Sequence, residues 1–333
     1  MRKIIIILSI FCAIALTASA QNAKFGKPTA EEWNLKTVPS LNTPQQNINS
    51  PSTSLNSSQL NPGAVVLYKS VDVTYNMSGS FTALGSGGDG SLDDNRIASS
   101  GTSKYINPDN TTMLYDVKLR IKVLAESGVG CTALDVIYFS EEEDMNMRDD
   151  FYEMSVVVLR QVDGKVKKKK VAASNFKDER IDKHYMMRHV RVPDVEVGDI
   201  VEYQYKLFSN RCTYIYDTQL QENIPVLYAK CRMEIPYLLQ FNVNRPMISN
   251  VKASAERGNL LIKSPSNDKQ LPRKVATNVF TIEASDLPAY AGDIDLKNLT
   301  DGTVHCVRTE LQDKRYDVKP GLSGPVRHLI IGK

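Results

Sequence analysis

The sequence predicts an all-β protein, and three observations carry that expectation. Several stretches alternate apolar and polar residues: Val201, Tyr203, Tyr205 and Leu207 against Glu202, Gln204 and Lys206, then Leu227, Ala229, Cys231, Met233 and Ile235 against Tyr228, Lys230, Arg232 and Glu234. Successive side chains of a strand point to opposite faces, so a period of two marks a strand with one buried and one wet face. Breaks rich in Pro, Gly and Asn separate these stretches at short intervals. No amphipathic helix of convincing length interrupts them. The expected architecture is an antiparallel β-sandwich, either as one body or as two packed subdomains.

The first residues read as a secretory signal. Arg2 and Lys3 precede an apolar run from Ile4 to Leu16, and Ala18-Ser19-Ala20 before Gln21 forms a small-residue cleavage pattern. The run is shorter than the roughly 20 residues that cross a bilayer, so cleavage between Ala20 and Gln21 and export to the periplasm or beyond are expected. No later stretch is apolar enough to span a membrane. From Gln21 to Pro62 the chain is rich in Asn, Ser, Thr, Gln and Pro and reads as a flexible linker. Within it Trp33, the only tryptophan, reads as a docking anchor, the centre of a short helix, or an incidental turn.

The β-domain is expected over residues 63–310, with 311–333 as a tail or the start of a further domain. Ala64 to Tyr75 forms the first strand, with Leu67, Val71 and Val73 on one face. Asn76 to Thr112 reads as a long loop; its Asp89, Asp93 and Asp94 lack the alternating ligand spacing of a calcium loop. The clearest alternation follows, with Tyr115, Val117, Leu119, Ile121 and Val123 inward and Asp116, Lys118, Arg120 and Lys122 outward. Ala133 to Phe139 is a strand. Met154 to Val162 and the residues from Lys165 form a hairpin, because Asp163-Gly164 supplies the positive φ of a tight turn. The lysines from Lys165 to Lys170 could attract phosphates, but lysines also blunt an exposed sheet edge, and no aromatics are interleaved, so a solvated edge is expected. Leu239 to Val243, Asn259 to Lys263 and Val279 to Ala284 complete the strands.

Composition excludes several classes of function. Removing Arg2 and Lys3 from 41 basic residues leaves one more than the 38 acidic ones, a balance with no bulk attraction for nucleic acid. Four cysteines remain, Cys131, Cys212, Cys231 and Cys306, too few for a disulfide scaffold and without zinc spacing. No cofactor or metal site is indicated. Cys231 reads as a buried thiol. Cys212 or Cys231 with His305 and Asp313 has the order of a cysteine triad, but neither cysteine has the electropositive setting of a reactive thiolate. His184, His189, His305 and His328 read as structural or surface residues. Tyr203, Tyr205, Tyr214, Tyr216 and Tyr228 are candidates for a carbohydrate-binding row, although alternation sends several of them inward.

The stretches AVVLYKSVDVTY, VKLRIKVLAESG, VRVPDVEVGDIVEYQYKL, ENIPVLYAKCRMEIP and SDLPAY together resemble the domain of unknown function 3857. This is the β-domain that precedes a transglutaminase-like core in exported bacterial proteins. The resemblance covers Ala64 to Tyr290. Its most specific marks are Pro193, Gly198, Glu202, Tyr203 and Tyr205, then Ile224-Pro225, Pro236, and Leu287-Pro288. It implies an accessory β-domain with no catalytic residues to carry over. Family members continue into a core with a cysteine, histidine and aspartate triad; here Lys333 follows too soon, so that core is expected to be missing. The expected function is recognition or scaffolding without catalysis, with a transglutaminase-like domain, an envelope protein, a peptide or a glycan as partner. The alternative is a fragment of a cysteine hydrolase or acyltransferase.

Overall fold

The structure is a computed structural model that describes residues 25–38, 63–77, 82–83, 104–105, 111–141, 148–262, 273–290, 306–312 and 329–331. A five-residue helix, α1 (Ala30–Asn34), comes first. The strands are β1 (Ala64–Met77), β2 (Thr82–Ala83), β3 (Lys104–Tyr105), β4 (Thr111–Val123), β5 (Leu134–Phe139), β6 (Asp149–Val162), β7 (Lys165–Lys170), β8 (Phe176–Arg180) and β9 (Tyr185–Val190). After them come β10 (Ile200–Ser209), β11 (Thr218–Gln219), β12 (Val226–Pro236), β13 (Phe241–Asn244), β14 (Val251–Ile262), β15 (Arg273–Leu287), β16 (Cys306–Leu311) and β17 (Leu329–Ile331). The protein is all-β, as its alternation predicts. Asp89, Asp93, Asp94, His305, Asp313, His328 and the Ala20–Gln21 junction lie outside the described residues.

An eight-stranded sheet runs in the order β14-β15-β12-β1-β4-β10-β6-β7. A four-stranded sheet, β17-β5-β9-β8, and a three-stranded sheet, β11-β16-β13, accompany it. One face of the large sheet, including Val73, Val117, Leu119, Tyr203, Cys231 and Met233, shares a core with Leu134, Val136 and Phe139 of β5 and Val190 of β9. Tyr203 fastens the layers by donating its hydroxyl to the Thr132 carbonyl just before β5. Among the described residues the pairing is antiparallel with one exception that alternation could not reveal: β1 and β12 run parallel, from Val66 opposite Val226 to Thr74 opposite Glu234.

The phase of β1 also differs from the expectation. Its register against β4 shifts between Val66 and Tyr68, a bulge that puts an extra residue into one strand and reverses which side chains face inward. Leu67 therefore joins Val65 on the far face, while Val71 and Val73 stay in the main core. Leu227, expected beside Ala229 and Cys231, packs on that far face too.

The largest correction concerns the linker. Residues Phe25–Val38 fold back onto the far face of the large sheet, where Trp33, Leu35 and Val38 pack with Val65, Leu67, Leu159, Ile200 and Leu227. The helix starts with a capping box: Thr29 accepts from the Glu32 backbone, and Glu32 Oε2 accepts from the Thr29 N–H at 2.6 Å. Trp33 is thus both a helix residue and an anchor. The segment covers residues that alternation had placed in water. Arg120 is 0% exposed and Lys122 2%, and Glu202 is also buried. A buried charge needs partners: Arg120 donates to Glu32 Oε1 at 2.6 Å and to Glu202 Oε1 at 2.6 and 2.9 Å, and Gly26 donates to Glu202 Oε2 at 2.6 Å. Lys122 Nζ donates to the Trp33 carbonyl at 3.0 Å and lies 5.5 Å from the indole centroid.

At the other end, β7 closes the sheet as an edge strand with all six residues exposed. Asp163 and Gly164 hold φ of 52° and 73° in the preceding turn, so the hairpin and its lysine edge follow the expectation. Within the expected tail, Leu329–Ile331 contribute to this domain as β17, which pairs with β5, and Leu311 ends β16, which pairs with β11 and β13.

Candidate functional site

The family-motif residues form the frame of the domain. Pro193 opens a loop in which Asp194 and Gly198 take φ of 58° and 93°. Gly198 is required there because left-handed backbone suits a residue without Cβ, and its N–H donates to the Val123 carbonyl at 2.9 Å. Arg160 clamps the loop, donating to both Asp199 oxygens at 2.8 and 2.7 Å, to Glu196 at 2.6 Å and to the Asp194 carbonyl at 2.7 Å. Tyr203 and Tyr205 lie in the main core, and Glu202 between Val201 and Tyr203 turns to the far face and its ion network. The Pro225 carbonyl after Ile224 accepts from Val66, Pro236 ends β12, Leu287 pairs with Val226, and the Pro288 carbonyl accepts from Gln221. Each of these positions is engaged in the backbone or core geometry of the domain.

Burial disfavours the thiolate form of Cys131, Cys231 and Cys306. None of Cys131, Cys212, Cys231 and Cys306 forms a disulfide. Burial pushes the Cys231 thiol up to about 12 and the Cys306 thiol up to about 11, with Asp217 adding to the latter. A thiolate is the reactive form. The candidate glycan row also dissolves: Tyr203, Tyr205, Tyr216 and Tyr228 are buried, and Tyr214 packs against the core. Tyr216 instead donates to buried Asp149, and its ring stands with Phe139, Tyr185 and Tyr214 around the buried Arg211 guanidinium, 3.9 Å from the Phe139 centroid. This box ties the loop after β10 to the small sheet.

A concave site reachable by solvent lies on that small sheet. A recess of about 450 Å³ is lined by Ser174, Asn175, Lys177, His189 and Arg191. Strand pairing creates it. Lys177 of β8 lies opposite His189 of β9, and the Arg191 N–H donates to the Asn175 carbonyl two positions along, at 3.1 Å. Positions two apart share a face, so all four project together, and the turn at Ala173–Asn175 adds Ser174. Asp135 of β5 lies opposite His189 on its other side. Its Oδ1 is 2.9 Å from His189 Nδ1 and accepts from Arg191 at 2.7 Å. Burial would raise the Asp135 carboxyl, but the hydrogen bonds from Arg191 and His189 outweigh it and hold the group below the usual carboxylate range. His189 Nε2 lies 2.9 Å from the Glu179 carboxylate, whose side chain is 73% exposed. Among the described residues no group of three or more His, Cys, Asp or Glu could hold a metal ion.

The site is not evident in the sequence, because β8 and β9 are short and mostly exposed or half-buried. The signal was the alternation of His189 and Arg191 with Val190 and Val192, hidden by the neighbouring loop motif.

The family model described as a domain of unknown function with solved structure, DUF3857, matches residues 110–290, more than half of the chain. The chain belongs to that family. The DUF3857 match takes in β4 to β15 and begins after β1, although β1 sits at the centre of the large sheet between β12 and β4. No curated protein matches the chain. Among solved structures, "a putative protease from Parabacteroides distasonis" is similar at 13% identity with a TM-score of 0.45. That match covers 74% of this chain and 40% of the other.

Proposed function

We propose that this chain is an exported recognition domain of the bacterial envelope, which binds a partner and does not transform it. The observation that carries the reading is the recess around His189. His189 and Arg191 are held in it by the buried Asp135 carboxylate, as in a site built to hold a ligand, and His189 Nε2 meets the exposed Glu179 carboxylate. The raised thiols of Cys231 and Cys306 support the same reading. Export through the leader that ends at Ala20, and an accessory role beside a transglutaminase-like domain, belong to this proposal. The structure supplies layers and edges of the kind that bind peptides without catalytic groups.

The test uses the mature chain from Gln21. N-terminal sequencing of the chain recovered from the periplasm should begin at Gln21. The folded protein should retain a transglutaminase-like domain or another envelope partner and return it with unchanged mass. Turnover of the partner, or rapid loss of activity on treatment with a thiol-directed electrophile, would count against the proposal.

A further inference from the structure

The recess has a second property besides being fixed. Its cations are asymmetric in their commitments. Arg191 gives Nη1 to Asp135 and the Val190 carbonyl and sets Nη2 3.3 Å from His189 Nδ1, yet its side chain is 47% exposed, and Lys177 is exposed. Guanidinium carries five N–H donors in a planar fork that matches a carboxylate. Asn175 and Ser174 add uncharged hydrogen-bonding groups to the rim. The position in front of His189 Nε2 already holds a carboxylate, that of Glu179, on a largely exposed side chain. An exposed pair of this kind contributes about 0–1 kcal/mol, so a ligand can displace it cheaply.

From this arrangement we infer that the recess binds a carboxylate-bearing ligand and that Glu179 is the intramolecular stand-in that the ligand displaces. The inference rests on the recognition reading given above. A monoanion fits better than a phosphate because ionised Asp135 lies directly behind His189 and repels a second negative charge more strongly. The volume, about 450 Å³, suits a small polar group with its immediate neighbours rather than a large ring system. The shared chemistry is the carboxylate, whether from a peptide C-terminus or a sugar acid.

The test is calorimetric titration of the mature chain at fixed salt with N-acetyl-triglycine, its C-terminal amide, glucuronate and inorganic phosphate. Saturable binding of the peptide acid or glucuronate is expected, and which of the two binds identifies the source. The amide should not bind. Glu179→Gln should tighten binding by about two- to fivefold, the worth of an exposed competitor. Lys177→Ala and Arg191→Ala should each weaken it by about tenfold or more, as loss of a charge-assisted hydrogen bond does. Lys177 is exposed, so its variant keeps the test valid if Arg191→Ala fails to fold. Phosphate or amide binding as tightly as the acids, or an affinity unmoved by Glu179→Gln, would overturn the assignment. If neither acid binds while the wild type and Lys177→Ala retain the same envelope partner, the recess assignment falls and the recognition reading stands.

Discussion

Replacing Arg120 by Met is expected to release the N-terminal segment from the sheet. Arg120 is fully buried between Glu32 and Glu202, which are themselves nearly so, and it donates three short bonds to them. Removing the cation leaves two buried carboxylates facing each other. Breaking a buried pair by deleting one partner costs about 3–5 kcal/mol, much of it the penalty of the charge left behind. The same reasoning predicts a partial rescue. Arg120→Met combined with Glu32→Gln and Glu202→Gln removes the stranded charges, while the amide oxygens still accept from Thr29 and Gly26. It should recover about half of the loss, since buried ion groups can be replaced by neutral ones at little net cost. Urea unfolding gives the free energies, and Trp33, the only tryptophan, reports the segment locally through its fluorescence. A loss below about 1 kcal/mol, or no rescue by the triple variant, would refute the buried network as the clamp.

Other expected outcomes follow from single sites. Burial raises the Asp217 carboxyl to about 6 despite Arg308 Nε at 3.1 Å. The folded state therefore favours its protonated form, and this contribution, present at low pH, is lost as pH rises from about 4 to about 6, by no more than about 3 kcal/mol. Asp217→Asn should flatten stability over that window, as measured by urea midpoints against pH. A side chain at Gly128 would put its Cβ 1.8 Å from the Gly63 carbonyl oxygen, a backbone atom with little freedom to move. Gly128→Ala should cost about 1–3 kcal/mol or more, visible as a lowered Tm. A maleimide at neutral pH should leave Cys231 unlabelled in the folded protein and label it in urea, because burial holds its thiol at about 12; labelling at equal rates in both states would contradict the assigned burial.

The alternation of β4, β10 and β12 was legible because each has one face in the core, and the Asp163-Gly164 turn because positive φ has few residue solutions. Less local features were not. The alternation that marks Arg120, Lys122 and Glu202 as solvent-facing is real, but the strap that covers them comes from a segment whose neighbours are polar and Asn-rich, so composition masked α1. The bulge after Val66 and the parallel pairing of β1 with β12 depend on register, which the hydrophobic pattern of one strand cannot fix. The recess escaped because its residues come from three strands, with Asp135, Lys177 and His189 meeting only through cross-strand pairing.

Recognition without chemistry is tested most directly by the mass of whatever the mature chain retains. The partner captured from an envelope extract should be eluted and weighed by intact-mass spectrometry before and after prolonged incubation with a molar equivalent of the folded protein. An unchanged mass, with the partner recovered in stoichiometric amount, is the predicted result. A partner cleaved, cross-linked or carrying a new acyl group would mean that the domain catalyses a reaction, and would contradict the proposal.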